Sequence, residues 1–395
     1  MRRPSVPIVL VLAAALGGCT SPGAESAKPG SPTTTGRPAP TAPPSTSAVA
    51  RRQPAGRDAQ PRMTTPRAAH TATRLLDGRV LIAGGCTASS CETGSDAATA
   101  ELFDPATSSF ARTGDLGDAR VGHAAARLAD GRVLLVGGFT ATAVTATSEI
   151  YDPTTGRFDP GPTLRAPRAD ALLMPSGDGD WLVIGGFDGS ASVAAVERLD
   201  TQAMAFVPAT PLTEPRSSHA GAVLDDGTIL VTGGGGEGPV VATAERYDPT
   251  TGGWTRVGPM AAARHKHAVA ALPGGAAVVL GGSDERDGHG RYDSVEVYDG
   301  STRRFSTSRP MAAARYKLDD AVAVLDDGRV LVVGGARRPE VFTPATREFR
   351  AVGPDLGAGW SFSTATALGD GSVLVAGGYD SRIELTAAAW VVAVD

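Results

Sequence analysis

A double glycine recurs seven times in the chain, at Gly84-Gly85, Gly137-Gly138, Gly185-Gly186, Gly233-Gly234, Gly281-Gly282, Gly334-Gly335 and Gly377-Gly378. Successive pairs are 53, 48, 48, 48, 53 and 43 residues apart. So regular a period points to a repeat architecture, in which each unit buries its apolar faces on its neighbours. Each pair closes a short β-branched and leucine-rich run such as Val133-Leu134-Leu135-Val136, which reads as a buried strand. Asp77-Gly78, Asp130-Gly131, Asp226-Gly227, Asp327-Gly328 and Asp370-Gly371 stand between two apolar runs and predict hairpins joining the innermost strand of a unit to the second. Asp152-Pro153-Thr154-Thr155-Gly156 and Asp248-Pro249-Thr250-Thr251-Gly252 predict tight turns between the third and fourth strands.

Other residues keep step with the glycines. An arginine stands seventeen residues before five of the pairs (Arg67, Arg120, Arg168, Arg216 and Arg264), and Arg315 keeps the place at nineteen. His70, His123, His219 and His267 each follow one of these arginines by three residues. A glutamate comes after every pair: Glu101, Glu149, Glu197, Glu245, Glu296, Glu340 and Glu384. In six repeats an aromatic follows nine residues later, at Phe110, Phe158, Phe206, Trp254, Phe305 and Phe349. In this combination, as in Arg216, His219, Gly233-Gly234, Glu245-Arg246-Tyr247-Asp248 and Trp254, the chain from Met63 onward resembles the kelch repeat. The resemblance implies an all-β fold over residues 61–395, a seven-bladed kelch-type β-propeller of four-stranded antiparallel blades. Blade seven is the irregular one. Gly359 is read as holding the arginine position, and Glu384 and Trp390 are only six residues apart. Its outer hairpin must be short, or a strand from before Arg67 must help close the ring. The aromatic expected ten residues before Arg67 is replaced by Arg57, so closure by packing is the expectation.

The first sixty residues have a different composition. Met1-Arg2-Arg3 is basic, Val6 to Leu16 is apolar, and Leu16-Gly17-Gly18-Cys19 ends the segment, which is the layout of a secretory signal peptide over residues 1–18. Leu-Gly-Gly-Cys resembles the lipobox of bacterial lipoproteins, and the resemblance implies lipid on Cys19 and an extracytoplasmic, membrane-anchored protein. An ordinary signal peptide with a cysteine downstream is the alternative. Residues 19–60, rich in Pro, Ser, Thr, Ala and Gly, bury too little surface to offset their ordering entropy and read as a disordered tether. The net charge is −5, about −7 once Arg2 and Arg3 leave with the signal, and no basic stripe favours nucleic acid. Cys86 and Cys91 remain as a close pair, which in an exported chain reads as a local disulfide; no further ligands nearby support a zinc site. We expect a monomer with no cofactor.

Regular columns argue for structure rather than chemistry. The histidines are therefore read as packing residues rather than metal ligands. The arginines and glutamates are expected to form buried, hydrogen-bonded pairs within or between blades. Function belongs where the repeat is broken. Between double glycine and glutamate lie ten residues in blades two to four, fifteen in blade one, thirteen in blade five, and four and five in blades six and seven. The kelch resemblance implies that residues just after the repeat arginine and just after the double glycine surround the mouth of a central channel. The first set here is Ala68, Val121, Ala169, Ser217, His265, Tyr316 and Trp360; the second is Cys86, Phe139, Phe187, Gly235, Ser283, Ala336 and Tyr379. With the adjacent polar residues, the candidate ligand-binding residues are Phe139, Asp170, Phe187, His265, Lys266, Tyr316, Lys317, Trp360 and Tyr379. Aromatic planes beside cations suit a sugar, an acidic glycan or a peptide carrying carboxylates. The expected partner is a cell-wall glycan or another exported protein, with a structural role in an envelope complex as an alternative. An enzyme is the less favoured reading. In galactose oxidase and its relatives a kelch propeller holds copper with two tyrosines, two histidines and a tyrosine–cysteine link. Here Tyr151, Tyr247 and Tyr298 belong to the repeat, only His265 and His289 lie off the histidine column, and the set cannot be assembled. Kelch propellers that epimerise sialic acid are a second analogy, with His265 or Asp170 as a conceivable acid/base.

Overall fold

In a computed structural model, which describes residues 60–394 apart from 89, 90, 92, 178 and 236–238, each double-glycine unit folds as one antiparallel sheet. The expected signal peptide, Cys19 and all but the last residue of the expected tether lie outside the described residues. The seven sheets span residues 71–112, 124–160, 172–209, 220–257, 268–307, 322–351 and 364–393. Blade four shows how sequence becomes sheet. Its strands are Ala220–Val223, Ile229–Thr232, Ala244–Asp248 and Gly253–Val257, paired in chain order with Ala220 opposite Thr232, Val231 opposite Glu245 and Tyr247 opposite Trp254. The second strand, Ile-Leu-Val-Thr, is buried on both faces because a blade lies against each of them. The first strand of every blade touches the first strands of both neighbours, blade seven against blade one included. The ring is closed.

The double glycine is required by what approaches it. Gly233 has φ +60°, and a Cβ there would lie 2.3 Å from the Arg264 carbonyl oxygen, which accepts the Gly234 N–H at 2.9 Å. Each blade thus grips the segment leading into the next. The repeat arginine fastens the same point from the other side. Arg216 donates through Nη1 to the Gly233 carbonyl at 2.6 Å and through Nη2 to Glu245 at 2.9 Å, and the second Glu245 oxygen accepts the Thr213 N–H at 2.7 Å. The expected buried pairs form within blades in six of the seven: Arg67–Glu101, Arg120–Glu149, Arg168–Glu197, Arg216–Glu245, Arg264–Glu296 and Arg315–Glu340, at 2.6–3.3 Å. Guanidinium and carboxylate both leave water, and backbone bonds at each end offset part of that loss, while the Nε of each of the six arginines is buried without a partner. Three histidines of the column reach back to the preceding blade: His70 to Thr364, His123 to Thr71 and His267 to Thr232, at 3.1, 3.0 and 2.7 Å.

Blade seven corrects three expectations. The arginine position is held by Trp360, not Gly359, because the Trp360 carbonyl accepts the Gly335 N–H where a repeat arginine carbonyl does so elsewhere. The glutamate position is held by Trp390, which pairs with Val375 as Glu245 pairs with Val231. Glu384 is instead exposed and bound to Arg382, so the connector of blade seven runs from 379 to 389 and is longer than the spacing to Glu384 suggests. Arginine and glutamate have been lost together, and the two indoles pack with centroids 6.3 Å apart. Closure by packing is the third correction. Blade seven has three named strands, Thr364–Ala367, Ser372–Ala376 and Ala389–Ala393, and the chain entering blade one hydrogen-bonds alongside the last. The Met63 N–H donates to the Ala387 carbonyl at 2.8 Å, the Ala389 N–H to Pro61 at 2.9 Å, and the Arg67 N–H to Thr386 at 3.3 Å. Met260, entering blade five, bonds Ala242 of blade four in the same way at 2.9 Å. Residues 61–67 thus occupy the place of an inter-blade linker, continuous with blade one and joined to blade seven by hydrogen bonds alone.

Candidate functional site: the channel mouth

The two rings of mouth residues meet in six of the seven blades, blade six with Tyr316 and Ala336 being the exception. Bridges join Ala68 to Cys86, Val121 to Phe139, Ala169 to Phe187, Ser217 to Gly235, His265 to Ser283 and Ser361 to Tyr379. In blade seven the rung therefore begins at Ser361, one residue beyond the expected Trp360. The next residue in every blade is left-handed: Ala69, Gly122, Asp170, Ser218, Lys266, Lys317 and Phe362, with φ between 49° and 63°. This kink turns the incoming linker into the inner strand, and it links blades. The N–H groups of Asp170, Lys266, Lys317, Phe362 and Ala69 donate to the carbonyls of Gly122, Ser218, Lys266, Lys317 and Phe362, all at 2.8–3.2 Å. Lys266 and Lys317 are thus set on one main-chain arc running from Ser218 to Ala69, and Asp170 on a second, shorter one with Gly122.

Inside these arcs is a cavity of about 270 Å³. Its lining is mixed: Ala72, Ala124, Leu172, Met174, Ala220 and Val269 alternate with Thr71, Thr73 and Ser218, and its charged lining includes Asp170, Lys266, Asp319 and Asp320. The last two occupy the one place where the arginine-to-glycine spacing is stretched. Leu318 fills the space that His267 fills one blade earlier, lying against Gly281 as His267 lies against Gly233. Asp319 and Asp320 then form an extra turn, closed by the Ala321 N–H donating to Leu318 at 3.0 Å, before the strand Val322–Val324 resumes the repeat. Enclosure by protein, with Asp319 beside it, raises the Asp170 carboxyl to about 7 although Lys266 opposes the shift. Asp319 and Asp320 are exposed to the water of the channel, and the protein crowded around them raises Asp319 above its usual value and, with Asp319 beside it, Asp320 to about 7.

The expected site residues fall into groups. Phe139 and Phe187 of blades two and three lie with ring centroids 6.1 Å apart, and Phe139, Asp170 and Lys266 line the cavity. Lys266 pairs with Asp287 at 2.7 Å, and the same carboxylate is 3.6 Å from His265, which burial and Lys266 push down to about 4. Lys317 donates to the Tyr379 hydroxyl at 2.7 Å and lies 4.9, 5.3 and 5.3 Å from the ring centroids of Tyr316, Phe362 and Tyr379. The Arg291 guanidinium covers Tyr316 at 5.0 Å. Trp360 joins neither group, being packed on Trp390 and donating to the Leu356 carbonyl at 2.8 Å. Cys86 and Cys91 are joined as a disulfide, and Cys91 lines the cavity, so the long connector of blade one is pinned at the mouth. Among the described residues no three His, Cys, Asp or Glu side chains converge to hold a metal ion. Sequence reasoning missed Asp319, Asp320, Phe362 and Cys91 as wall residues. The nineteen-residue spacing at Arg315 was the visible sign of the first two.

The family model for the kelch motif matches residues 216–261, from the arginine leading into blade four to the linker beyond its last strand. No curated protein matches the chain. Seven sheets in a closed ring, the arginine–glutamate pairs and this match define a kelch-repeat β-propeller.

Proposed function

We propose that the propeller is a non-catalytic binding platform, held outside the cell membrane by lipid on Cys19, which takes a protein or glycan partner at the channel mouth. One observation carries this reading. The reactive side chains of the repeat are consumed by structure, in six arginine–glutamate pairs and three histidine–threonine bonds. The aromatic and charged groups outside those columns gather instead at one end of the channel, around Phe139, Phe187, Lys266, Lys317 and Tyr379. Rigid inner strands hold a varied loop set there, as in other scaffolds that bind through their loops. The signal-peptide layout and the Leu-Gly-Gly-Cys motif support the location. Pull-down from the producing cell's envelope should recover a partner with the intact protein and lose it with the Phe139→Ala/Phe187→Ala double variant. Equal recovery by both, or none by either, rejects the mouth as the binding surface.

A further inference from the structure

Resting on the membrane-held part of that reading and sharpening it, we infer that the outer turns of blades five and six form a basic docking edge, which lays the face opposite the mouth on an anionic phospholipid surface. The argument starts from backbone conformation. In six blades the residue just before the fourth strand is left-handed: Ser108, Gly156, Met204, Gly252, Arg303 and Arg347, with φ between 49° and 70°. Glycine, with no Cβ, fits such a place best, and blades two and four use it. Blades five and six put an arginine there instead, against the local preference of the backbone. The turn itself does not require one, since glycine, serine and methionine make the same turn elsewhere.

The two arginines belong to a patch. Residues 299–309 and 337–355 contain seven arginines and four acids, in a chain whose net charge is −5, and all seven arginines are exposed. Glu340 is the buried partner of Arg315, Glu348 and Asp355 hold Arg309 and Arg337 at 3.1 and 2.9 Å, and Asp299 accepts the Ser301 and Thr302 N–H groups of its own turn. Arg303, Arg304 and Arg347 form no ion pair among the described residues. Arg347 reaches across to blade five and donates to Ser306 Oγ at 3.2 Å, and Ser306 stands two residues, about 7 Å, along its strand from Arg304. The free arginines of both blades therefore share one surface. Strands two and three run antiparallel, so the turn after strand three lies at the end of the blade away from the double glycine and the mouth. A membrane met by that face leaves the mouth open to a partner. Arginines spread over two turns suit a surface of many mobile phosphates better than one placed carboxylate. Lipid on Cys19 would keep such a surface close, and a basic patch is an effective second signal beside a lipid chain.

The test uses the full mature chain carrying Cys19→Ser, so that no lipid holds it, mixed with vesicles of phosphatidylglycerol and phosphatidylcholine in equal parts or of phosphatidylcholine alone. In about 0.1 M salt it should sediment with the anionic vesicles and not with the neutral ones, and in about 0.5 M salt it should be released. The Arg303→Gly/Arg347→Gly double variant gives these turns the residue that blades two and four already use, so it should keep the melting temperature. Its binding should fall at least about ten-fold, since each arginine near an anionic surface strengthens binding about five-fold. Equal binding to neutral vesicles, a double variant that binds as well as the parent, or capture of polyglutamate in place of vesicles overturns the inference, the last by making the partner an acidic polypeptide. Detergent-phase partition of the wild-type chain reads the lipid separately. A lipidated chain whose patch ignores vesicles sinks the inference alone, and vesicle binding by a chain without lipid sinks the lipid-held reading alone.

Discussion

At the residue scale, the arginine–glutamate pair is the fastener of the blade. Glu245 is fully buried and holds both Arg216 and the Thr213 N–H, so Glu245→Ala leaves the buried guanidinium with only the part-exposed Glu214, at 3.5 Å, as counter-charge. The expected loss is about 3–5 kcal/mol in urea unfolding, and an unchanged midpoint would refute the pair's role. The histidines give stability a pH dependence. Burial and the neighbouring arginine depress His123 and His219 to about 3, and His70 and His267 lie well below the usual value. A depressed histidine stabilises the fold fully above its unfolded value of about 6.5, and that contribution is lost as pH falls below it. The channel carboxyls have the opposite sign. Asp170 is raised to about 7, so it destabilises the fold progressively as pH climbs from about 4 through 7. Asp170→Asn should therefore raise the unfolding free energy at pH 8 and leave it nearly unchanged at pH 4. A gain of equal size at both values would show that the carboxyl does not titrate differently on folding.

At the element scale, blade seven shows what the repeat tolerates. Trp360 and Trp390 occupy the arginine and glutamate positions together, so an apolar contact replaces an ionic one without leaving either charge alone. Trp390→Glu should cost about 2–3 kcal/mol, and Trp360→Arg added to it should recover part of that loss in a double-mutant cycle. Strictly additive losses would mean that the two positions are not coupled. The same blade marks where sequence reasoning stopped. Blades one to six were legible because glycine pairs, arginines and glutamates recur in register, each fixed by a local bond that only those residue types make. Blade seven keeps the geometry with other residues, so residue type points to Gly359 and Glu384 where Trp360 and Trp390 hold the places. The mouth was legible as a set of positions in blades one to five, where the residues after the arginine and after the double glycine do pair. Its chemistry was less so. Asp319 and Asp320 reach the cavity only because Leu318 takes the histidine's place, which spacing alone does not reveal.

At the scale of the whole molecule, stability depends on the ring being closed, because each blade is apolar on both faces and has no core of its own. The closing joint is main-chain hydrogen bonding by residues 61–67, the equivalent of every other inter-blade linker. Met63→Pro removes the N–H that bonds Ala387 and should open this joint, lowering the melting temperature as much as Met260→Pro does between blades four and five. The most direct measurement is native-state hydrogen exchange at the Met63 and Ala389 amides. A joint like the other six predicts protection equal to that of Met260 and Leu212, released only with global unfolding. Exchange at these two amides orders of magnitude faster than at Met260 would contradict a closed ring.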